Sequence, residues 1–143
     1  MTSARIGIGS ALLAFALPFM ASGVATAQPD TAQAATALAL EVRPADGQPD
    51  NVVPVSPTRA VLVCYPVVGG THSNAMRACQ ELGAVGGKFD SLSDNPQWAC
   101  PANYAPVVAT AYGVWCGTEV KWEKEFSNYC VMRNHTGSVF AFS

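Results

Sequence analysis

The sequence predicts an α+β domain built on an antiparallel sheet. Residues 36–43 and 119–126 alternate apolar and polar side chains, as strands with one buried and one solvated face do. Residues 138–142, SVFAF, are typical of a closing strand. Between these segments, residues 73–83 carry apolar side chains at spacings of three and four, which indicates a helix. Strands near both ends with helices between them are typical of an α+β domain.

The first 27 residues have the layout of a secretory signal peptide. One positive charge, Arg5, precedes the apolar run 6–20, and residues 25–27 form a small-x-small cleavage pattern. A membrane anchor is less well supported, because Gly, Ser and Pro interrupt the run and a spanning helix needs roughly 20 residues. Cleavage leaves 116 of the 143 residues. We therefore expect a secreted protein without membrane association, with a flexible arm at 28–35 and one domain at 36–143.

The first half of that domain alternates between strand, loop and helix signals. Residues 44–57 contain four prolines and predict a long connecting loop. Residues 58–65, TRAVLVCY, predict a buried strand that ends at Pro66 and Gly69-Gly70. Ser73 is the expected N-cap of the helix, which Gly83 or Gly86-Gly87 can close. Ala75, Met76, Cys79 and Leu82 recur at helical spacing, and Cys79 is predicted to face inward with Leu82.

The second half begins with an irregular stretch, residues 88–106, and becomes regular again at 107–115. Gly117 marks a turn before the strand 119–126. On that strand Val120, Trp122 and Phe126 are predicted to face the core, and Glu119, Lys121, Glu123 and Glu125 the solvent. A short helix at 127–132, capped by Ser127, precedes the closing strand.

The cysteine content predicts disulfides, because an exported chain folds in an oxidising compartment. Five cysteines allow two intrachain bridges in 15 combinations and leave one thiol over. A bridge between Cys64 and Cys79 would pin the helix to the sheet and contribute about 3 kcal/mol by the chain-entropy model. A zinc site is disfavoured, because the chain has no Cys-x-x-Cys pair and neither His72 nor His135 has a ligand spacing.

Catalytic signals are weak. The chain has no Gly-x-Ser-x-Gly elbow. Its two histidines are expected to be exposed loop residues, Asp90 and Asp94 to be solvated loop carboxylates, and Cys116 has no evident base. Lysine and arginine are scattered, so no basic patch predicts nucleic-acid binding. We expect neither an enzyme nor a cofactor.

The irregular segment 97–106, QWACPANYAP, is unusually stiff for a connection. Pro101 fixes its own φ and biases Cys100 toward an extended backbone, and Pro106 does the same to Ala105. If Cys100 is bridged, this loop is tied near its middle. Composition alone favours an ordinary stapled turn, but a pre-ordered extended peptide is also what a protease active site binds.

The motifs from residue 59 to 143 resemble the Streptomyces subtilisin inhibitor family. The matching stretches, in order and at family-like spacing, are RAVLVCYP, GGTHSNAMRAC, ELGAVGG, ACPANYAPVV, YGVW, EFSNYC and HTGSVFAF. The resemblance implies a five-stranded antiparallel sheet with two helices on one side, a homodimer, and reversible inhibition of subtilisin-type serine endopeptidases. It also implies the bridges Cys64–Cys79 and Cys100–Cys130, which leave Cys116 unpaired.

In the family the reactive bond follows a Cys-Pro-x motif, which here implies the bond Ala102–Asn103. Ala102 would enter the primary specificity pocket, and the contact loop would also include Trp98, Ala99, Cys100, Pro101 and Tyr104. Family members commonly carry Met, Leu, Lys or Arg at the position of Ala102, so a methyl group is a departure, as is Asn103. The small residue favours subtilisin-like or other small-pocket proteases over trypsin-like enzymes, whose pocket carboxylate would be left unpaired.

Several alternatives stay open at this point. Cys116 can bridge two subunits, pair with another secreted protein, or lie buried and inert. The protein can also be a secreted binding module, or an inhibitor of metalloproteases that does not use the Ala102 loop.

Overall fold

The computed structural model describes residues 35–47, 57–92 and 99–142, which all belong to one compact unit of the chain. The predicted signal peptide, most of the predicted arm, and residues 48–56 and 93–98 lie outside the described residues. In the described part, no helix is long and apolar enough to cross a membrane.

Five strands form one antiparallel sheet in the order β3-β2-β1-β4-β5. Their bounds are β1 Thr36–Pro44, β2 Thr58–Tyr65, β3 Gly69–Gly70, β4 Val107–Trp115 and β5 Thr118–Phe126. The helices are α1 Ala75–Ala84 and α2 Tyr129–Thr136, with a short 3-10 helix at Phe89–Ser91. The central strand β1 pairs with β2 on one side and β4 on the other, so segments distant in sequence are neighbours.

One face of the sheet and both helices enclose a single hydrophobic core. The sheet contributes the inward alternation of β1, β2 and β4, with Leu38, Leu40 and Leu62 almost fully buried. Leu82 of α1 and Met132 of α2 are fully buried in the same cluster. Both helices therefore lie on one side of the sheet, which confirms the predicted fold class. On β5 the predicted outer face is also confirmed, since its four predicted residues are all exposed: Glu119, Lys121, Glu123 and Glu125.

Helix α1 ends as predicted at the pair Gly86-Gly87 but begins differently. Gly86 donates to the carbonyl of Gly83 and Gly87 to that of Leu82, a C-terminal closure that needs left-handed residues, and φ is 63° and 79° at the two glycines. The N-cap is Asn74 rather than the predicted Ser73. Leu82 is fully buried and Cys79 half-buried, as predicted, whereas Met76 is 58% exposed and Ala78 fills the core side of that turn.

The predicted closing strand at 138–142 is wrong. Its backbone makes turn hydrogen bonds, Val139 to Thr136 and Ala141 to Ser138, instead of pairing with the sheet. The SVFAF pattern arises because Val139, Phe140 and Phe142 are all buried in the core, two of them consecutively. The fifth strand is instead the two-residue β3.

Strand β2 was expected to be buried, and only one of its faces is. Ala60 and Leu62 are buried, whereas Val61 between them is 43% exposed. On this outer face Val61 pairs with Ala39 of β1. Although the run is apolar, its side chains alternate between a face buried in the core and a face exposed to solvent.

The two disulfides are Cys64–Cys79 and Cys100–Cys130. The first joins the end of β2 to α1, which confirms the expected pin between helix and sheet. Cys116 carries a free thiol and is exposed, so the alternative that it lies buried is wrong. It forms the two-residue turn between β4 and β5 together with Gly117.

Candidate functional site

The predicted contact loop lies at the end of the sheet where β4 begins. Within residues 99–106, Cys100 and Ala105 are half-buried and Pro106 is buried, while the other side chains are exposed: Ala99, Pro101, Ala102, Asn103 and Tyr104. The exposed residues precede β4 without regular secondary structure. Trp98, also expected in the contact loop, lies outside the described residues.

The loop is attached to helix α2 by the disulfide Cys100–Cys130, with a Cα–Cα distance of 5.6 Å. Cys130 is in the first turn of α2, so this disulfide joins an exposed segment to a helix whose other side lies in the core. The Asn134 Nδ2 atom, one turn further along α2, lies 3.2 Å from the Cys100 sulfur. The loop is thus held close to α2 two residues before Ala102.

Asn128 makes the central polar contacts of the site. Its Nδ2 group donates one hydrogen bond to the Pro101 carbonyl and one to the Asn103 carbonyl, each at 3.0 Å. These carbonyls lie on either side of the Ala102–Asn103 peptide group. Asn128 is only 5% exposed, and its Oδ1 accepts from the Val131 N–H at 2.9 Å. One side chain therefore caps α2 and orders both halves of the exposed loop.

The sequence reasoning missed Asn128 because it placed the cap of this helix one residue early, at Ser127. Helix α2 spans Tyr129–Thr136, and Asn128 is its N-cap. Asn and Ser are comparable N-caps, so local preference does not separate them. An asparagine directly before the helical residues was the available signal for the cap. Its contacts with the loop, 25 and 27 residues away, had no local signal.

The chain after Asn103 is held by backbone contacts. The Ala105 N–H donates to the Ser127 carbonyl at 2.9 Å, and the Pro106 carbonyl accepts from the Ala45 N–H at 3.0 Å. Tyr104 lies between fixed peptide groups, yet 68% of its surface is exposed. The loop is therefore ordered on both sides of Ala102 and presents its side chains outward, as a substrate-like ligand requires.

The residues weighed as catalytic candidates have structural contacts instead. His72 is buried and not the exposed loop residue expected: its Nε2 lies 3.1 Å from the Val139 carbonyl, and its Nδ1 accepts from the Asn74 N–H at 3.0 Å. His135 is half-buried, with Nε2 3.1 Å from the Lys124 Nζ atom. The contact of His72 with Val139 spans 67 residues, so no local pattern indicates its burial. His135 looked like a loop residue because the predicted helix ends at 132, whereas α2 extends to Thr136.

Asp90 and the free thiol contact other parts of the molecule than the loop. Asp90 accepts from the Trp122 Nε1–H at 3.0 Å, and Asp94 lies outside the described residues. Cys116 lies at the opposite end of β4 from residues 99–106. Within the described ranges, no three or more His, Cys, Asp or Glu side chains are grouped as they would be around a metal ion.

A second exposed surface, the outer sheet face, lies on the side away from the helices. It is formed by outward residues of β1, β2 and β4: Ala37, Ala39, Val61, Val63, Tyr112 and Val114. Val61 and Tyr112 are 43% and 48% exposed and line a shallow groove of about 250 Å³. An ion pair between Glu41 and Arg59, at 2.9 Å, borders the groove and raises the pKa of Arg59 through its hydrogen bond. This face is apolar in its middle and charged at its border.

Known proteins are similar to this chain in both sequence and fold. A family model described as subtilisin inhibitor-like matches residues 34–128. The chain is 43% identical over 126 residues to the subtilisin inhibitor of Streptomyces albogriseolus, which is 85% of each chain. It is 42% identical over 97 residues to plasminostreptin of Streptomyces antifibrinolyticus, which is 67% of this chain and 89% of that one. Among solved structures, Streptomyces caespitosus sermetstatin in complex with Bacillus licheniformis subtilisin matches with a TM-score of 0.61 at 32% identity, over 76% of this chain and 99% of the matched chain.

Proposed function

The chain belongs to the subtilisin inhibitor-like family, and from that premise we propose that it is a secreted inhibitor of subtilisin-like serine endopeptidases. It acts as an inhibitor and not as an enzyme. Residues 99–104 bind the protease in the manner of a substrate, and Ala102–Asn103 is the reactive bond. The observation that carries this assignment is the pair of hydrogen bonds from Asn128 to the Pro101 and Asn103 carbonyls, which orders the backbone on both sides of that bond.

The same contacts explain why the loop inhibits rather than being consumed. After attack on the Ala102 carbonyl, the acyl half stays attached through the Cys100–Cys130 disulfide and the Pro101 carbonyl. The new amine of Asn103 stays attached because Asn128 and Ser127 hold the chain after it. An amine kept beside the acyl group re-forms the bond faster than water can replace it, since the reaction is effectively intramolecular.

The residue that enters the primary pocket determines the class of target. Ala102 contributes a single methyl group, so a deep pocket would be left partly empty, at a cost of about 1–2 kcal/mol relative to a larger apolar side chain. A pocket with a buried carboxylate would leave that charge unpaired. The loop therefore fits subtilisin-like and other small-pocket serine proteases.

Titration of purified protein against subtilisin tests the proposal. We expect stoichiometric inhibition that Ala102→Pro abolishes, because proline at this position removes an N–H and fixes φ at the reacting residue. Val67→Ala is a matched control: Val67 is 74% exposed but follows β2, at the opposite end of the sheet, so inhibition should be retained. Mass spectrometry of slowly hydrolysed complex should show a single cut between Ala102 and Asn103.

The titration also separates the alternative functions. If micromolar protein leaves subtilisin and an elastase active, the inhibitor function is wrong. A binding module for a non-protease partner would then be favoured. Inhibition of a metalloprotease that survives Ala102→Pro would favour a different surface from the loop.

We further propose that residues 1–27 are removed on export and that 28–35 form an arm before the domain 36–143. The charge, apolar and small-residue layout of the first 27 residues supports this. The intact mass of protein collected from culture medium measures it. A mature form beginning at Gln28 is expected, and a secreted form that retains Met1 would contradict it.

Finally, we propose that two copies pair through the outer sheet face. Support comes from its apolar centre, with Val61, Tyr112 and Val114 partly exposed, and from its small residues Ala37 and Ala39, which permit close approach of a second sheet. Light scattering after size exclusion should give a dimer mass. Val61→Lys should shift the mass to that of a monomer, and a wild-type monomer at micromolar concentration would overturn the pairing.

A further inference from the structure

Tyr104 is the largest exposed apolar side chain among residues 99–106. It is 68% exposed, whereas Ala102, the residue assigned to the primary pocket, offers one methyl group. Pro101 and Asn103, the other exposed neighbours, are smaller. Among the described residues of the loop, 99–106, the group with the most surface to bury therefore lies two residues beyond the proposed reactive bond, on the leaving-group side.

The backbone on both sides of Tyr104 is already ordered. The Asn103 carbonyl accepts from Asn128 at 3.0 Å, and the Ala105 N–H donates to the Ser127 carbonyl at 2.9 Å. Only the two side-chain torsions of the tyrosine remain to be fixed on binding. A preorganised aromatic side chain loses little conformational entropy, and tyrosine is enriched among the residues that dominate interface energies.

We propose that Tyr104, and not Ala102, is the main affinity-determining residue of this inhibitor. Its target is a serine endopeptidase that combines a small primary pocket with an apolar subsite for an aromatic ring on the leaving-group side. The inference rests on the proposed inhibitor function. It follows from the distribution of buriable surface along the loop, because a ring of this size removes far more apolar surface from water than a methyl group does.

Inhibition constants against subtilisin test this with four proteins: wild type, Tyr104→Ala, Tyr104→Phe and Val67→Ala. Tyr104→Ala should raise the inhibition constant at least about 30-fold, the level expected of a dominant interface residue. Tyr104→Phe keeps the ring and should stay within about fivefold of wild type. Val67→Ala truncates an exposed apolar side chain at the opposite end of the sheet and should also stay within about fivefold. The melting temperature of all four should agree, because the altered side chains are exposed.

The outcomes distinguish the inference from the function on which it rests. If the wild type inhibits and Tyr104→Ala loses less than about 30-fold, Tyr104 is not the dominant residue and only the inference is overturned. An equal loss in Val67→Ala overturns it too, since the effect would then not depend on the loop. If Tyr104→Phe is as weak as Tyr104→Ala, the apolar subsite is wrong. A wild-type chain that does not inhibit overturns both the function and the inference.

Discussion

The two ends of the sheet each carry a disulfide and a turn or loop, but their contacts differ. At one end Cys64–Cys79 joins β2 to α1 beside the core, and the turn at Cys116-Gly117 is held to Thr36 by a hydrogen bond of 3.0 Å. At the other end Cys100–Cys130 ties an exposed loop to α2. Asn128 and Ser127 order the backbone there, while the side chains stay in solvent. The end with Cys64–Cys79 and the Cys116-Gly117 turn stabilises the fold, and we call it the frame end. The end with Cys100–Cys130 orders residues 99–106 without burying their side chains, and we call it the loop end.

This difference would not be visible in stability alone. The Cys64–Cys79 and Cys100–Cys130 bridges are separated by 15 and 30 residues in the chain. By the chain-entropy model they stabilise the fold by about 3 and about 3.5 kcal/mol. Removing either disulfide should therefore destabilise the fold by a similar amount, and only the effect on protease inhibition distinguishes the loop end from the frame end.

Removal of the disulfide at the loop end should have the largest effect on inhibition. In Cys100→Ser/Cys130→Ser the acyl half of the loop is no longer retained covalently, so we expect the inhibition constant for subtilisin to rise about 1,000-fold or more. The variant should also be cleaved as an ordinary substrate. Active-site titration and the rate of appearance of the cut chain measure the two effects, at a temperature where circular dichroism shows the variant folded.

The matched control is removal of the disulfide at the frame end. Cys64→Ser/Cys79→Ser should lose about 3 kcal/mol of unfolding free energy. Its folded fraction should still inhibit within about tenfold of wild type, since the loop contacts are unchanged. Equal losses of inhibition in the two double variants would remove the functional distinction between the ends.

An intermediate effect is expected from Asn128→Ser. Serine keeps the N-cap acceptor for Val131 but cannot reach both loop carbonyls, so the loop loses two hydrogen bonds. At about 1 kcal/mol each, the inhibition constant should rise roughly 10- to 100-fold. Unfolding in urea should show a loss of about 1–2 kcal/mol from the same two bonds and none from the cap, which persists.

Asn128→Asp is the informative partner of that variant. It also keeps the cap, but it sets a carboxylate against the Pro101 and Asn103 carbonyl oxygens. It should therefore inhibit more weakly than Asn128→Ser while its helix stays capped. Inhibition by Asn128→Ser within threefold of wild type would mean that the disulfide and the backbone contacts order the loop without Asn128.

The sequence predicted the frame more completely than the site for a physical reason. Strand alternation in 36–43 and 119–126 is a local signal, and the structure confirms it. Strand β3 has no such signal, because its two glycines pair through the backbone alone. Residues 138–142 have the apolar composition of a strand, but they pack in the core without joining the sheet. The expected pin between helix and sheet favoured Cys64–Cys79, whereas Cys100–Cys130 was implied only by the family resemblance. The two hydrogen bonds from Asn128 to the loop form only when folding brings α2 and the loop together, so no local sequence pattern predicts them.

The smallest effect should come from the turn at the frame end. Cys116 and Gly117 both have positive φ, 47° and 80°, in a two-residue hairpin turn that favours Asn-Gly. Cys116→Asn should therefore stabilise the fold by about 0.5–1 kcal/mol, because asparagine tolerates the left-handed conformation better than cysteine does. Thermal unfolding should show a rise of about 2–6 °C, while inhibition of subtilisin stays within about twofold, since this turn and the loop are at opposite ends of β4. Cys116→Ser removes the same thiol without the preference for positive φ, so the gain of asparagine over serine isolates the turn from the thiol. A change of inhibition in either variant would show that the two ends of the sheet are coupled.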